Sequence, residues 1–137
     1  MTDPHAGQPM FSMGPPLAES RRVAILVHGR NASPRNILEL VPRLERPALT
    51  YLAPAAANNT WYPLSFLAET EKNEPFLSSA LRRLDTLVAD VMQSGVPRSR
   101  IVLLGFSQGA CLVSEFAYRR PARYGGLVVF SGGLIGP

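Results

Sequence analysis

The sequence predicts an α/β fold: a mostly parallel sheet with helices on both faces. Three observations carry that expectation. Four short apolar runs alternate with stretches of helical periodicity, in the order strand, helix, strand, helix, strand, helix, strand, which implies right-handed crossovers and helices on either side of one sheet. The first run, residues 23–27, is apolar throughout, as expected of a parallel strand covered on both faces. The third run leads through Gly105-Phe106-Ser107-Gln108-Gly109 straight into a helical stretch, and strand, G-x-S-x-G turn, helix is the sequence form of a nucleophile elbow.

Taken in order, residues 1–20 are rich in Pro and Gly and read as an irregular or weakly β lead-in, with His5 in a flexible segment. Residues 21–137 then form one partial α/β domain. After the strand at 23–27, His28-Gly29-Arg30-Asn31-Ala32 is a loop, and Ser33 followed by Pro34 is a helix start, a capping hydroxyl ahead of a proline whose missing N–H costs nothing there. Pro42 must end or distort that helix. Residues 50–53 form a second strand, and residues 54–72 a long loop carrying Trp61, Tyr62, Pro63 and Phe66. A helix is expected over 74–94, where Leu77, Leu81, Leu84, Val88 and Val91 line one face and Gly95 supplies the stop. The elbow strand at 100–104, a helix at 110–119 halted by Pro121, and a last strand at 126–131 complete the pattern. That strand is expected to leave an exposed apolar edge at 127–130.

In such sheets ligands gather at the carboxyl ends of the strands, where strand order reverses. If the first and third strands are neighbours, the loop after the first strand and Ser107 meet there. Serine is a poor nucleophile without an adjacent base and needs donors for the oxyanion of an attacked carbonyl. The N–H of Gln108, directly after Ser107, is one candidate donor, and the N–H of Arg30, in the loop after the first strand, is the other. The base is not apparent. The two histidines are His5 and His28, and beyond Ser107 the chain carries one acid, Glu115, and no histidine. His28 reaches the crevice and counts among the pocket residues; it is either an improvised base or a group that shapes the oxyanion loop through a hydrogen bond. Cys111, one helical turn past Ser107, reads as a small core residue.

With 137 residues, 46% hydrophobic and 18% charged, the chain has the composition of one ordinary globular domain. No apolar run approaches the roughly 20 residues of a membrane span, and residues 1–17 lack the basic start and apolar core of a secretory signal. A single cysteine excludes an internal disulfide and fits a cytoplasmic protein. The net charge of +4 is almost wholly arginine, with Lys72 the one lysine, but the basic residues lie in scattered pairs with acids among them. No nucleic-acid partner is therefore expected, and neither a cofactor nor a metal is called for.

The segments Val23-Ala24-Ile25-Leu26-Val27-His28-Gly29-Arg30, Trp61-Tyr62-Pro63-Leu64-Ser65-Phe66, Gly105-Phe106-Ser107-Gln108-Gly109-Ala110 and Val129-Phe130-Ser131-Gly132 resemble the phospholipase/carboxylesterase branch of the α/β-hydrolases, which includes acyl-protein thioesterases and dienelactone-hydrolase-like esterases. The resemblance runs from about residue 20 to residue 137. It implies that Ser107 accepts the acyl group, that Arg30 and Gln108 provide the oxyanion donors, and that Trp61, Tyr62 and Phe66 border the acyl pocket. The residues alone are equally compatible with those three aromatics packing on the 74–94 helix. The family carries its aspartate and histidine on later loops, after the strand near which this sequence stops. The expectation is thus a serine hydrolase of small-molecule esters or thioesters, often dimeric in its family, whose parent protein supplies the base while these 137 residues alone are nearly inactive.

Two other readings compete. A non-catalytic, truncated hydrolase-like module would keep the crevice for binding or interaction without turnover. Nucleotide binding is the weaker alternative, since no G-x-G-x-x-G follows the first strand and no acid closes the second. The guanidinium of Arg30 is expected either near a substrate carboxylate, in solvent, or paired with a surface acid.

Overall fold

A computed structural model describes residues 3–44 and 48–137. Five strands form one sheet: β1 (Met10–Met13), β2 (Val23–Val27), β3 (Thr50–Pro54), β4 (Ile101–Phe106) and β5 (Gly126–Phe130). Their spatial order is β1-β3-β2-β4-β5. β2, β3, β4 and β5 run parallel, and β1 is antiparallel along the outer edge of β3. The four expected strands are thus present, and β2 and β4 are direct neighbours, with Val27 opposite Gly105. The lead-in is more ordered than the sequence implies. All four residues of β1 are exposed, so it is held by backbone pairing and carries no apolar alternation to announce it.

Helices cover both faces unequally. On one face lie α3 (Phe76–Gln93) and α4 (Gln108–Arg119). Leu77, Leu81, Leu84, Leu87, Val88 and Val91 of α3, with Cys111, Leu112, Val113 and Phe116 of α4, pack on Val23, Ile25, Val27, Ile101 and Leu103. Burying each large apolar side chain contributes roughly 1.5–3 kcal/mol, and this larger cluster makes the α3–α4 face the main core. The other face carries α1 (Pro34–Leu38) and α2 (Val41–Leu44), whose Ile37 and Leu38 pack with Ala24, Leu26, Tyr51, Ala53 and Leu104. Ser33 caps α1 by accepting the Asn36 N–H, with Pro34 at the first turn, and the helix stops at Leu38 ahead of Pro42 as expected. Pro42 sits at the start of α2, where its ring is tolerated. Gly95, at φ +108°, terminates α3. β5 is the outer strand at the far edge, and its Leu127 and Phe130 are exposed.

Two close approaches set the geometry between β4 and α4. A methyl placed on Gly109 would overlap the carbonyl oxygen of Val27, and one placed on Gly105 would overlap the backbone of Gly109. The absence of Cβ at both positions lets the first turn of α4 pack directly on the end of β2. Replacing Gly109 with Ala forces backbone to move and is expected to cost about 3 kcal/mol or more, at or above the usual penalty for overpacking. Gly133→Ala, where the added methyl meets nothing within 4 Å, should change stability by less than about 0.5 kcal/mol. Urea unfolding of the two variants checks the contrast.

Candidate active site

Ser107 stands between β4 and α4 at φ 56° and ψ −115°. This is a left-handed φ in a residue other than glycine, a conformation that costs of order 1–3 kcal/mol and persists only where the surroundings over-determine it. The surroundings here are specific. The Ser107 N–H donates to the Phe130 carbonyl at 2.8 Å and its own carbonyl accepts the Cys111 N–H at 3.0 Å, while Gly105 and Gly109 let the strand and helix close around it. The Ser107 side chain is exposed and has no hydrogen-bond partner among the described residues.

The loop after β2 lies against this turn. Gly29 approaches the Phe106 carbonyl, leaving a methyl there 3.4 Å from Ser107 Cβ. Asn31 follows at φ 60°, a left-handed position that Asn tolerates better than most residues, and its N–H donates to the Asn59 carbonyl at 2.8 Å. The backbone N–H groups of Arg30 and Gln108 have no hydrogen-bond partner among the described residues. The two residues singled out in the sequence for oxyanion binding therefore flank the turn with their backbone donors unengaged.

Their side chains do something the sequence did not reveal. Gln108 is buried; its Oε1 accepts the Trp61 N–H at 2.8 Å and its Nε2 donates to the Tyr62 carbonyl at 2.8 Å. Arg30 sends Nη1 to the Pro63 carbonyl at 2.8 Å and Nη2 to the Leu64 carbonyl at 2.7 Å, with its guanidinium 5.9 Å from the centre of the Tyr62 ring. The Arg30 head group is thus exposed but engaged by backbone carbonyls, with no acid paired to it among the described residues. Asn73, also buried, accepts the Leu64 N–H at 2.7 Å and donates to the Ser65 carbonyl at 3.2 Å.

Trp61 and Tyr62, open in the sequence between a pocket rim and packing on the 74–94 helix, are completely enclosed in the α3–α4 core, where they support the site from behind. Burial pushes the Tyr62 hydroxyl well above the usual tyrosine value, with the neighbouring Cys111 adding to the effect. Phe66 is part exposed, and its carbonyl accepts the Gly136 N–H at 2.7 Å. An apolar cavity of about 220 Å³ does open at this end of the sheet, lined by His28, Gly29, Asn36, Ile37, Leu40 and Phe106. Glu115 is buried, holding the Ile135 N–H at 3.0 Å and the Arg119 guanidinium, so its carboxylate is already committed. Cys111 is a buried core thiol, as expected.

Both histidines are fully buried and engaged. His5, expected in a flexible segment, is instead locked into the fold, because three long-range hydrogen bonds outweigh the freedom of a terminal segment. Its Nδ1 accepts the Ala57 N–H at 3.0 Å, so Nε2 carries the proton and donates to the Trp61 carbonyl at 2.7 Å; its backbone N–H donates to Ser79. His28 is the mirror case: Nε2 accepts the Ala56 N–H at 3.2 Å and Nδ1–H donates to the Gly29 carbonyl at 2.8 Å. The two imidazoles lie on Trp61, with ring centres at 5.2 and 5.1 Å, and the Trp61 indole N–H donates to the His28 carbonyl at 2.9 Å. His28 thus ties the loop after β2 to Ala56, and both rings have their nitrogens engaged by backbone.

The four parallel strands, the reversal of strand order at β2 and β4, and the tight serine turn at that point define an α/β-hydrolase fold. The sequence pattern of the phospholipase/carboxylesterase family matches residues 15–137, and the chain belongs to that family. It is 30% identical over 124 residues to acyl-protein thioesterase 1 of Eremothecium gossypii, covering 79% of this chain and 53% of that protein. A similar stretch is 31% identical over 75 residues to acyl-protein thioesterase 1 of Yarrowia lipolytica, covering 53% of this chain and 33% of the relative. Among solved structures, a phospholipase/carboxylesterase of Dyadobacter fermentans superposes with a TM-score of 0.92 at 38% identity, covering 95% of this chain and 62% of that one. The chain therefore spans between a third and two thirds of the length of these relatives.

Burial holds both His5 and His28 below the ordinary histidine value. Protonating either ring would also set a donor against the N–H of Ala57 or Ala56. Since the unfolded chain takes up these protons near pH 6.5 and the folded chain only at lower pH, stability is full above about pH 6.5 and falls as pH drops below it, by up to about 1.4 kcal/mol per pH unit for each histidine. Urea midpoints between pH 7.5 and 5, followed by Trp61 fluorescence, should show that slope. The slope should flatten in His5→Gln and His28→Gln variants.

Proposed function

We propose that this is the nucleophile-bearing part of a serine hydrolase that cleaves carboxylic esters or thioesters through an acyl-enzyme on Ser107. The observation that carries the reading is the strained, exposed Ser107 at the head of α4, flanked by two unengaged backbone donors. Family membership and the thioesterase and carboxylesterase names of the relatives support the same chemistry.

In this reading Ser107 Oγ attacks the substrate carbonyl, whose oxygen takes on negative charge and is held by the N–H groups of Gln108 and Arg30. The first turn of α4 adds its positive dipole end to that charge. Collapse of the tetrahedral adduct expels the alcohol or thiol and leaves the acyl group on Ser107; water then releases the acid. Both steps need a general base. His5 and His28 are the two histidines of the sequence, and both are consumed by structural hydrogen bonds, so the base is assigned to residues outside these 137. What the described residues retain is the nucleophile and the oxyanion donors, a combination that by itself still leaves catalysis on the order of 10³–10⁴-fold over water in serine hydrolases stripped of a triad member.

The test is covalent trapping of the 137-residue chain with an alkyl fluorophosphonate, read by intact mass and peptide mapping. Slow addition of one phosphonyl group at Ser107 is expected, and none in Ser107→Ala, while ester turnover stays far below that of a hydrolase with a complete triad. Labelling that survives Ser107→Ala, or wild-type chain that folds yet never labels, would overturn the assignment.

A further inference from the structure

We infer that the segment Trp61–Leu64 is a brace that sets the position of the Arg30 oxyanion donor relative to that of Gln108, and that the Arg30 and Gln108 side chains and Asn73 are positioning residues for the reaction. The inference rests on the proposed roles of the two backbone N–H groups. Four successive backbone units are gripped in order: Gln108 takes the N–H of Trp61 and the carbonyl of Tyr62, and Arg30 takes the carbonyls of Pro63 and Leu64. Each proposed donor residue thus sends its own side chain to adjoining halves of one short segment.

The two donors have different starting rigidity. Gln108 belongs to α4, which is packed into the main core. Arg30 sits in an exposed loop between Gly29 and Asn31 and has no strand or helix to hold it. The line of contacts runs from the helix to the loop: α4, the Gln108 amide, Trp61–Leu64, the Arg30 guanidinium, and so the Arg30 backbone, beside the bonds that already hold Gly29 and Asn31.

The segment itself is held from the other side. His5 fixes the Trp61 carbonyl and Asn73 fixes the Leu64 N–H and the Ser65 carbonyl. These side-chain contacts do the work that neighbouring strands would do in a sheet, meeting an irregular backbone one group at a time from the buried Trp61 and Tyr62 to the exposed Pro63 and Leu64. The planar fork of Arg30 matches two successive carbonyls, and a lysine could not reproduce it. Misplacing a preorganised donor by about 1 Å is enough to cost a large rate factor.

The experiment measures the rate of phosphonylation of Ser107 by an alkyl fluorophosphonate over a range of probe concentrations, separating kinact from KI. Arg30→Met keeps the stem and removes the fork at an exposed site. It is expected to lower kinact roughly tenfold to a hundredfold with KI within about a factor of two and an unchanged melting temperature. Arg30→Ala should regain kinact when methylguanidinium is added and not when methylammonium is added, a response that a purely structural role would not produce. Asn73→Ala should slow kinact in the same direction, and combining it with Arg30→Met should give less than the product of the two effects because both act through one segment.

If wild-type Ser107 labels and Arg30→Met labels equally fast, or methylguanidinium and methylammonium act alike, the brace is overturned while the hydrolase reading stands. If folded wild-type chain does not label at Ser107, the hydrolase reading falls and the brace with it.

Discussion

The close approach of α4 to the end of β2 is the constraint on which the rest of the site depends. It exists because Gly105 and Gly109 lack a Cβ where strand, turn and helix converge. Any side chain at Gly109 would push the helix off the Val27 carbonyl, and the turn at Ser107 would then relax out of its left-handed φ. With the helix seated, the Gln108 N–H is delivered beside Ser107 and the Gln108 side chain is delivered into the core. One backbone contact thereby places Ser107, the proposed nucleophile, together with one candidate donor and the anchor for the loop that carries Trp61.

Around that contact the molecule stabilises irregular backbone with side chains. Residues 55–65 form neither a long helix nor a strand, and Ala55, Ala56, Trp61 and Tyr62 within them are buried. Polar groups of this stretch are met by His5, His28, Arg30, Asn73 and Gln108, since an unmet buried amide costs about 1–3 kcal/mol. The two neutral imidazoles on Trp61 make this region sensitive to acid. The same arrangement explains why a lead-in without apolar periodicity is tied down: His5 and Asp3 reach Ser79 on α3, and β1 adds to the edge of β3. The site is therefore supported from the N-terminal segment as well as from the sheet.

What could be read in the sequence follows from which forces act locally. Unbroken apolar runs gave away the parallel strands, 3.6-residue periodicity marked α3, and the spacing of Gly105, Ser107 and Gly109 marked the turn, because each is a short-range signal. β1 was faint because exposed edge residues carry no hydrophobic pattern. The burial of His5 and the amide contacts of Gln108 were not legible at all: their partners lie 46 to 74 residues away, and a polar residue facing water and one satisfying a distant backbone look alike in one dimension. The carbonyl partners of the Arg30 side chain were hidden for the same reason, and Trp61 and Tyr62 stayed open between two readings because an aromatic pair in a loop serves a core or a pocket equally well.

A crystal structure of the phosphonylated chain would show whether Ser107 and the two N–H groups act on one adduct. Phosphorus bonded to Ser107 Oγ, with the phosphoryl oxygen within hydrogen-bond distance of both the Arg30 and Gln108 N–H groups, is the result this account predicts. An adduct on another residue, or a phosphoryl oxygen turned to solvent with both N–H groups left unengaged, would contradict it.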